Sequence, residues 1–186
     1  MKKIILLLVA SAILATGSYA QKYFTKTGKV NFDATSSGSP EKIEGVNRTV
    51  TCVVDAKTGN MQFAVLMKGF EFERALMEEH FNENYVESDK FPKAEFKGNI
   101  ANNDKVSYAK DGTYTVTVKG KLTMHGETKD VETEGKITIQ SGKVSAAADF
   151  QVLLSDYKIS IPGLVADKVS KSAKISVSCS LEALKG

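Results

Sequence analysis

Alternation of apolar and polar residues dominates the chain. Tyr114, Val116, Val118, Leu122 and Met124 share one face of a run, and Thr113, Thr115, Thr117, Lys119, Lys121 and Thr123 share the other. A period of two with one apolar face marks a strand buried on one side and wetted on the other, as in antiparallel sheets. Val50, Cys52 and Val54 oppose Thr49, Thr51 and Asp55 in the same way. The pattern recurs at Phe63, Val65 and Met67, at Val131, Ile137 and Ile139, and at Ile175, Val177, Cys179 and Leu181. Turn-forming clusters separate the runs: 55–60, Lys110-Asp111-Gly112, His125-Gly126-Glu127 and Ser141-Gly142-Lys143. Gly, Asn and Asp supply the backbone freedom such turns need. The spacing predicts eight strands, at 22–34, 43–55, 61–70, 93–101, 112–124, 129–140, 143–154 and 171–184.

One segment changes period. From Glu71 to Tyr85, Phe72, Leu76, Phe81 and Tyr85 recur at about one helical turn or a multiple of it. Glu73, Glu78, Glu79 and Glu83 fill the other faces, which predicts an amphipathic helix of about three turns. A second irregular stretch, Ser155 to Ser170, holds Pro162-Gly163 with Ile159, Ile161, Leu164 and Val165. Long one-face-apolar strands in series favour closure, because a closed sheet has no exposed edges. The fold class expected is all-β: an eight-stranded antiparallel barrel with one short amphipathic helix. The first and last strands should pair to close it.

Such a barrel is either just filled by its side chains or holds one small ligand. The inferred inner face carries almost no charge, Lys26 and Arg48 near strand ends being the exceptions. It includes the small residues Gly28, Ala94, Gly98, Gly120, Gly135, Ala146 and Ala148, which leave room. Room between apolar walls favours an elongated apolar ligand. The candidate lining is Phe32, Val50, Phe63, Val65, Met67, Phe96, Val116, Val118, Ile137, Phe150, Val152 and Val177. His80, Tyr85 and the 155–170 loop are candidates for the mouth. Each lining residue would serve equally as plain core, so a filled barrel acting through its surface is the alternative.

Chemistry narrows the choice. The chain contains no G-x-S-x-G, H-E-x-x-H, phosphate-binding glycine loop or C-x-x-C. His80 and His125 are its only histidines, too few for a structural zinc site without other ligands. No catalytic residue, metal or cofactor is expected, and an enzyme ranks last among the readings. The chain opens Met1-Lys2-Lys3, runs apolar from Ile4 to Ala15 and reaches Ser18-Tyr19-Ala20. That is a secretory signal peptide over 1–20, with one domain over 21–186. Its apolar run is shorter than the roughly 20 residues of a spanning helix. A periplasmic or secreted product without stable membrane insertion is therefore expected. Without Lys2 and Lys3 the formal charge of +3 falls by two, and arginine occurs only at Arg48 and Arg74. Neither feature suits a nucleic-acid partner. Cys52 and Cys179 fall on apolar faces of strands expected to lie one strand apart. That separation is about 10 Å, beyond the reach of a disulfide, so two free thiols are expected.

Three segments carry a family resemblance. ALMEEHFNENYVESDKFPKAEFKG (75–98), VKGKLTMHGETKDV (118–131) and ADFQVLLSDYKISIP (148–162) resemble, in order and spacing, the hallmark stretches of the YceI-like family. The likeness is greatest to Bacteroidetes-type members. The resemblance implies a lipocalin-like barrel in the periplasm that encloses a polyisoprenoid or an isoprenoid quinone. It implies a binding or carrier role with an isoprenoid-type lipid as partner and no cofactor.

Overall fold

The computed structural model describes residues 22–184, so the expected signal peptide lies outside the described residues. Nine strands form one antiparallel sheet: β1 (Lys22–Thr35), β2 (Glu44–Asp55), β3 (Asn60–Leu66), β4 (Phe70–Phe72), β5 (Lys93–Ile100), β6 (Gly112–Met124), β7 (Glu127–Gln140), β8 (Lys143–Leu153) and β9 (Val169–Ala183). The order is β1-β9-β8-β7-β6-β5-β3-β2, and β1 also pairs with β2, which closes the barrel. β3 and β4 both pair with β2, against Thr51–Val54 and Gly45–Asn47 respectively, so together they form one stave of eight. The expected third strand at 61–70 is thus broken, by a 3-10 turn at Met67–Gly69.

Asn47 explains the break. It is fully buried, and its side chain donates to the Leu66 carbonyl at 2.8 Å. Its carbonyl accepts from the Thr49 backbone N–H at 2.9 Å and from the Thr49 hydroxyl at 3.0 Å. One amide therefore satisfies backbone groups that the turn removes from the ladder.

Bulges correct the expected inner face. Between Thr25 and Gly28 β1 advances three residues while β2, from Cys52 to Val50, advances two. From Val50 to Asn47 β2 then gains the extra residue. An extra residue reverses the alternation beyond it. Tyr23 and Thr25 consequently point inward, whereas Lys26 and Arg48 are exposed, contrary to the simple alternation. Arg48 pairs outside with Glu71 at 2.8 Å.

The two ends are closed differently. At one end Ile100 and Val106 are buried with Tyr23, and the Tyr108 ring stacks on Tyr23 at 5.7 Å. Asn103 holds that loop down by donating to the Ala56 carbonyl and accepting from the Tyr108 hydroxyl. Near this end Cys52 and Cys179 are buried and free, as expected for strands with β1 between them. Gly28 of β1 lets the thiols meet, since a Cβ there would sit 2.7 Å from the Cys179 sulfur. The hydrogen bond to Cys179 and burial both push the Cys52 thiol up, so it stays protonated and unreactive.

The opposite end carries the helix, shorter than expected. Phe70–Phe72 belongs to β4, and α1 spans only Ala75–His80 before a π-helical turn at Phe81–Tyr85. Phe72 fits a helical stripe in the sequence but is held by pairing with Gly45 of β2. Leu76, assigned to the same buried stripe, is 61% exposed.

Asn47→Ala should strand the Leu66 carbonyl and Thr49 N–H and cost about 2–4 kcal/mol. Urea unfolding with an unchanged m value checks this. A loss below half a kcal/mol would show that water replaces the amide.

Candidate ligand-binding chamber

The barrel is hollow toward the helix end. A chamber of about 400 Å³ lies inside it, with predominantly apolar walls. Of the twelve apolar residues expected on the inner wall, all but Val50 line it. Val50 is fully buried, with its carbonyl and Cβ against Gly28, and serves as core. His80 and Tyr85 line the chamber from the helical cap, and Ile159, Val165 and Lys168 line it from the 155–170 loop.

Side-chain size decides where the space falls. Ala94, Gly135, Ala146 and Ala148 line the chamber and leave it wide. Gly98 and Gly120 do not contribute space. They face each other across β5 and β6, and a Cβ on either would lie 2.6 Å from the Phe96 ring. That ring occupies the room they leave.

The cap is anchored by an aromatic cluster that the sequence did not single out. Phe81 is buried and meets Phe32, Phe70 and Phe72 at 5.5, 5.3 and 4.9 Å between ring centroids. Burying one such ring contributes roughly 1.5–3 kcal/mol, which secures the short helix. Apart from Lys136 of β7, the charged residues at the chamber gather around this end. Glu41 accepts from Arg74 at 2.6 Å and Lys168 at 3.2 Å, one cation on each carboxylate oxygen, and all three side chains border the chamber.

A latch ties the cap to the barrel. The His125 side chain is 9% exposed. Its Nδ1 lies 2.8 Å from the Tyr157 carbonyl, and its Nε2 lies 2.8 Å from Glu87 Oε2. A carbonyl only accepts, so Nδ1 donates; one further proton must lie between Nε2 and the carboxyl oxygen. Phe91 packs edge-on against the imidazole at 4.6 Å. Beside it Lys158 pairs with Glu127 at 2.6 Å, and Lys158 holds the Glu127 carboxyl below its usual range. Glu87, His125 and Lys158 have φ of 44°, 51° and 55°. They are three of the four non-glycine residues with positive φ among the described residues. Such backbone persists only where surrounding contacts hold it. His125 was legible only as a turn residue, and nothing in the sequence joins it to Glu87.

No group of three or more His, Cys, Asp or Glu residues placed to hold a metal occurs among the described residues. No helix among them is long and apolar enough to cross a membrane. The class of protein that the fold and chamber define is the hollow, lipocalin-like antiparallel β-barrel. The YceI-like domain model matches residues 21–181, and the chain belongs to that family.

Solved structures share the fold at low identity. A polyisoprenoid binding domain from Saccharophagus degradans, implicated in plant cell wall breakdown, is 13% identical with a TM-score of 0.76. That match covers 89% of this chain and 100% of that one. BcnA of Burkholderia cenocepacia is 15% identical with a TM-score of 0.68, over 83% and 96% of the two chains. The Campylobacter jejuni YCEI protein is 14% identical with a TM-score of 0.54, over 78% and 87%. No curated protein sequence matches the chain.

His125→Ala should free the cap. Amide exchange over residues 81–92 should accelerate at least tenfold while exchange in β6 stays slow. Uniform acceleration across the barrel would mean that the imidazole supports the whole fold. Alkali provides a second check. Burial pushes Tyr157 up to about 12, with Asp156 adding to it, and burial pushes Tyr108 to about 12, with Tyr23 and Asp55 adding to it. Both are therefore raised above the unfolded value near 10. Their contribution to stability is complete below about pH 10 and is lost as pH rises toward 12. Phenolate absorbance should show both titrating late in the folded protein; a single transition near pH 10 for every tyrosine would contradict their burial.

Proposed function

We propose that the protein binds a long apolar lipid of polyisoprenoid or isoprenoid-quinone type inside the barrel, as a carrier without catalytic chemistry, in the periplasm. The observation that carries this reading is the chamber. Its walls are predominantly apolar and its charged residues, Lys136 apart, gather at the helix end, the polarity an amphiphile presents from tail to head. Transfer of the tail from water contributes about 25 cal/mol per Å² of apolar area, reduced by the cost of ordering the chain. Family membership and the polyisoprenoid-binding relative from Saccharophagus degradans support the same ligand class. The basic, apolar and small-residue succession over 1–20 supports export. A filled barrel acting through its surface would not need this space.

Protein purified from its native host should release a prenyl-chain lipid on solvent extraction, identified by mass spectrometry. The emptied protein should rebind quinones or polyprenols. Repeated preparations without lipid, together with no binding of either class, would overturn the reading.

A further inference from the structure

We infer that the barrel has a second, lateral opening between β7 and β8, through which the tail of a long ligand leaves the chamber. This rests on the lipid-binding reading and extends it to the length of chain accepted.

The opening follows from the strand register. β6 and β7 pair along their whole length, from Gly112–Ile139 to Met124–Glu127. β7 and β8 pair only from Gln140–Lys143 to Gly135–Ala148. Beyond that point residues 127–134 of β7 and 149–153 of β8 have no strand pairing to each other. At the fork the Thr133 hydroxyl donates to the Asp149 carbonyl at 3.1 Å. At the far end the two sides are rejoined outside any ladder, by His125 with the Tyr157 carbonyl and Glu127 with Lys158. The result is a slit fixed at both ends.

The chamber reaches this slit. Val131 and Thr133 of β7 and Phe150 and Val152 of β8 line it from the two sides. The ladder pair Lys136 and Ala147, one position before the fork, also borders the chamber. At about 400 Å³ the chamber is near the low end for sites that take drug-sized ligands. A long prenyl chain overfills it and needs an apolar exit.

An incoming strand is a poorer occupant. The free edge of β7 carries Lys129, Asp130, Glu132 and Glu134, and that of β8 begins with Asp149. Charges along an edge discourage strand addition. The apolar residues of the slit instead face the chamber.

Farnesol and octaprenol separate the possibilities. Val131→Trp, at a partly buried position, should plug the slit. It should weaken octaprenol binding at least tenfold more than farnesol binding, with far-UV circular dichroism unchanged. Equal loss of both ligands, or loss of neither, overturns the slit. Octaprenol with a photoreactive group on its last isoprene should label residues 129–134 or 149–153 of the unmodified protein. Label confined to the Tyr23 and Cys179 end overturns it even if the tryptophan variant fails to fold. Wild-type protein that binds neither prenol defeats the lipid reading itself, and the slit as a tail exit falls with it.

Discussion

Two-residue periodicity around a closed ring of eight staves is the constraint from which the other features follow. It commits every second residue to an interior of fixed width. Whether that interior is solid or hollow then depends on side-chain volume, position by position. Toward the Cys52 and Cys179 end the inward residues include Val54, Val116, Ile137, Ile139 and Leu181, all nearly inaccessible, and the barrel is packed. Toward the helix, Ala94, Gly135 and Ala148 are too small to meet across the axis, and a chamber remains. A hollow end cannot close itself by packing. It needs a separate cap, and the cap needs its own attachment.

The attachment divides into two kinds of interaction. Phe81, set among Phe32, Phe70 and Phe72, supplies non-directional burial that holds the helix over the mouth. His125 supplies direction, because its two ring nitrogens fix the Tyr157 carbonyl and the Glu87 carboxyl at 2.8 Å each. Three residues in left-handed backbone around it show that the chain bends against its local preference to make these contacts. Glu41 adds a weaker, exposed bridge to Arg74 and Lys168. Exposed pairs contribute at most about 1 kcal/mol, so this bridge can exchange partners without loosening the fold.

What the sequence revealed follows the same division. β6 occupies 112–124 as its alternation indicates, since its pairing with β7 runs unbroken from Gly112 to Met124. The lining residues were legible for the same reason. Lys26 and Arg48 were misplaced because a bulge changes parity without leaving a mark in composition. The helix was overextended because Phe72 suits a helical stripe and a strand equally well. Leu76 completed that stripe, although the short helix leaves it exposed. The His125 latch was invisible because its partners are 32 and 38 residues away and its backbone is one that non-glycine residues seldom adopt.

Alternation also concealed where β7 and β8 part. Val131 and Thr133 continue the inward face of β7, and Phe150 and Val152 continue that of β8, as they would in an unbroken ladder. The side-chain pattern of a strand records which face is buried, not whether its neighbour is hydrogen-bonded. Only the outer residues differ in kind. Acidic residues crowd the free edges at Asp130, Glu132, Glu134 and Asp149, where unpaired backbone meets water. The barrel thus has a tight half, where the interior is solid and β7 and β8 are paired, and a loose half, where the interior is empty and that ladder is open. Small side chains do not set the parting point: Gly135, Ala146 and Ala148 lie within the paired stretch, and the larger Phe150 and Val152 lie beyond it.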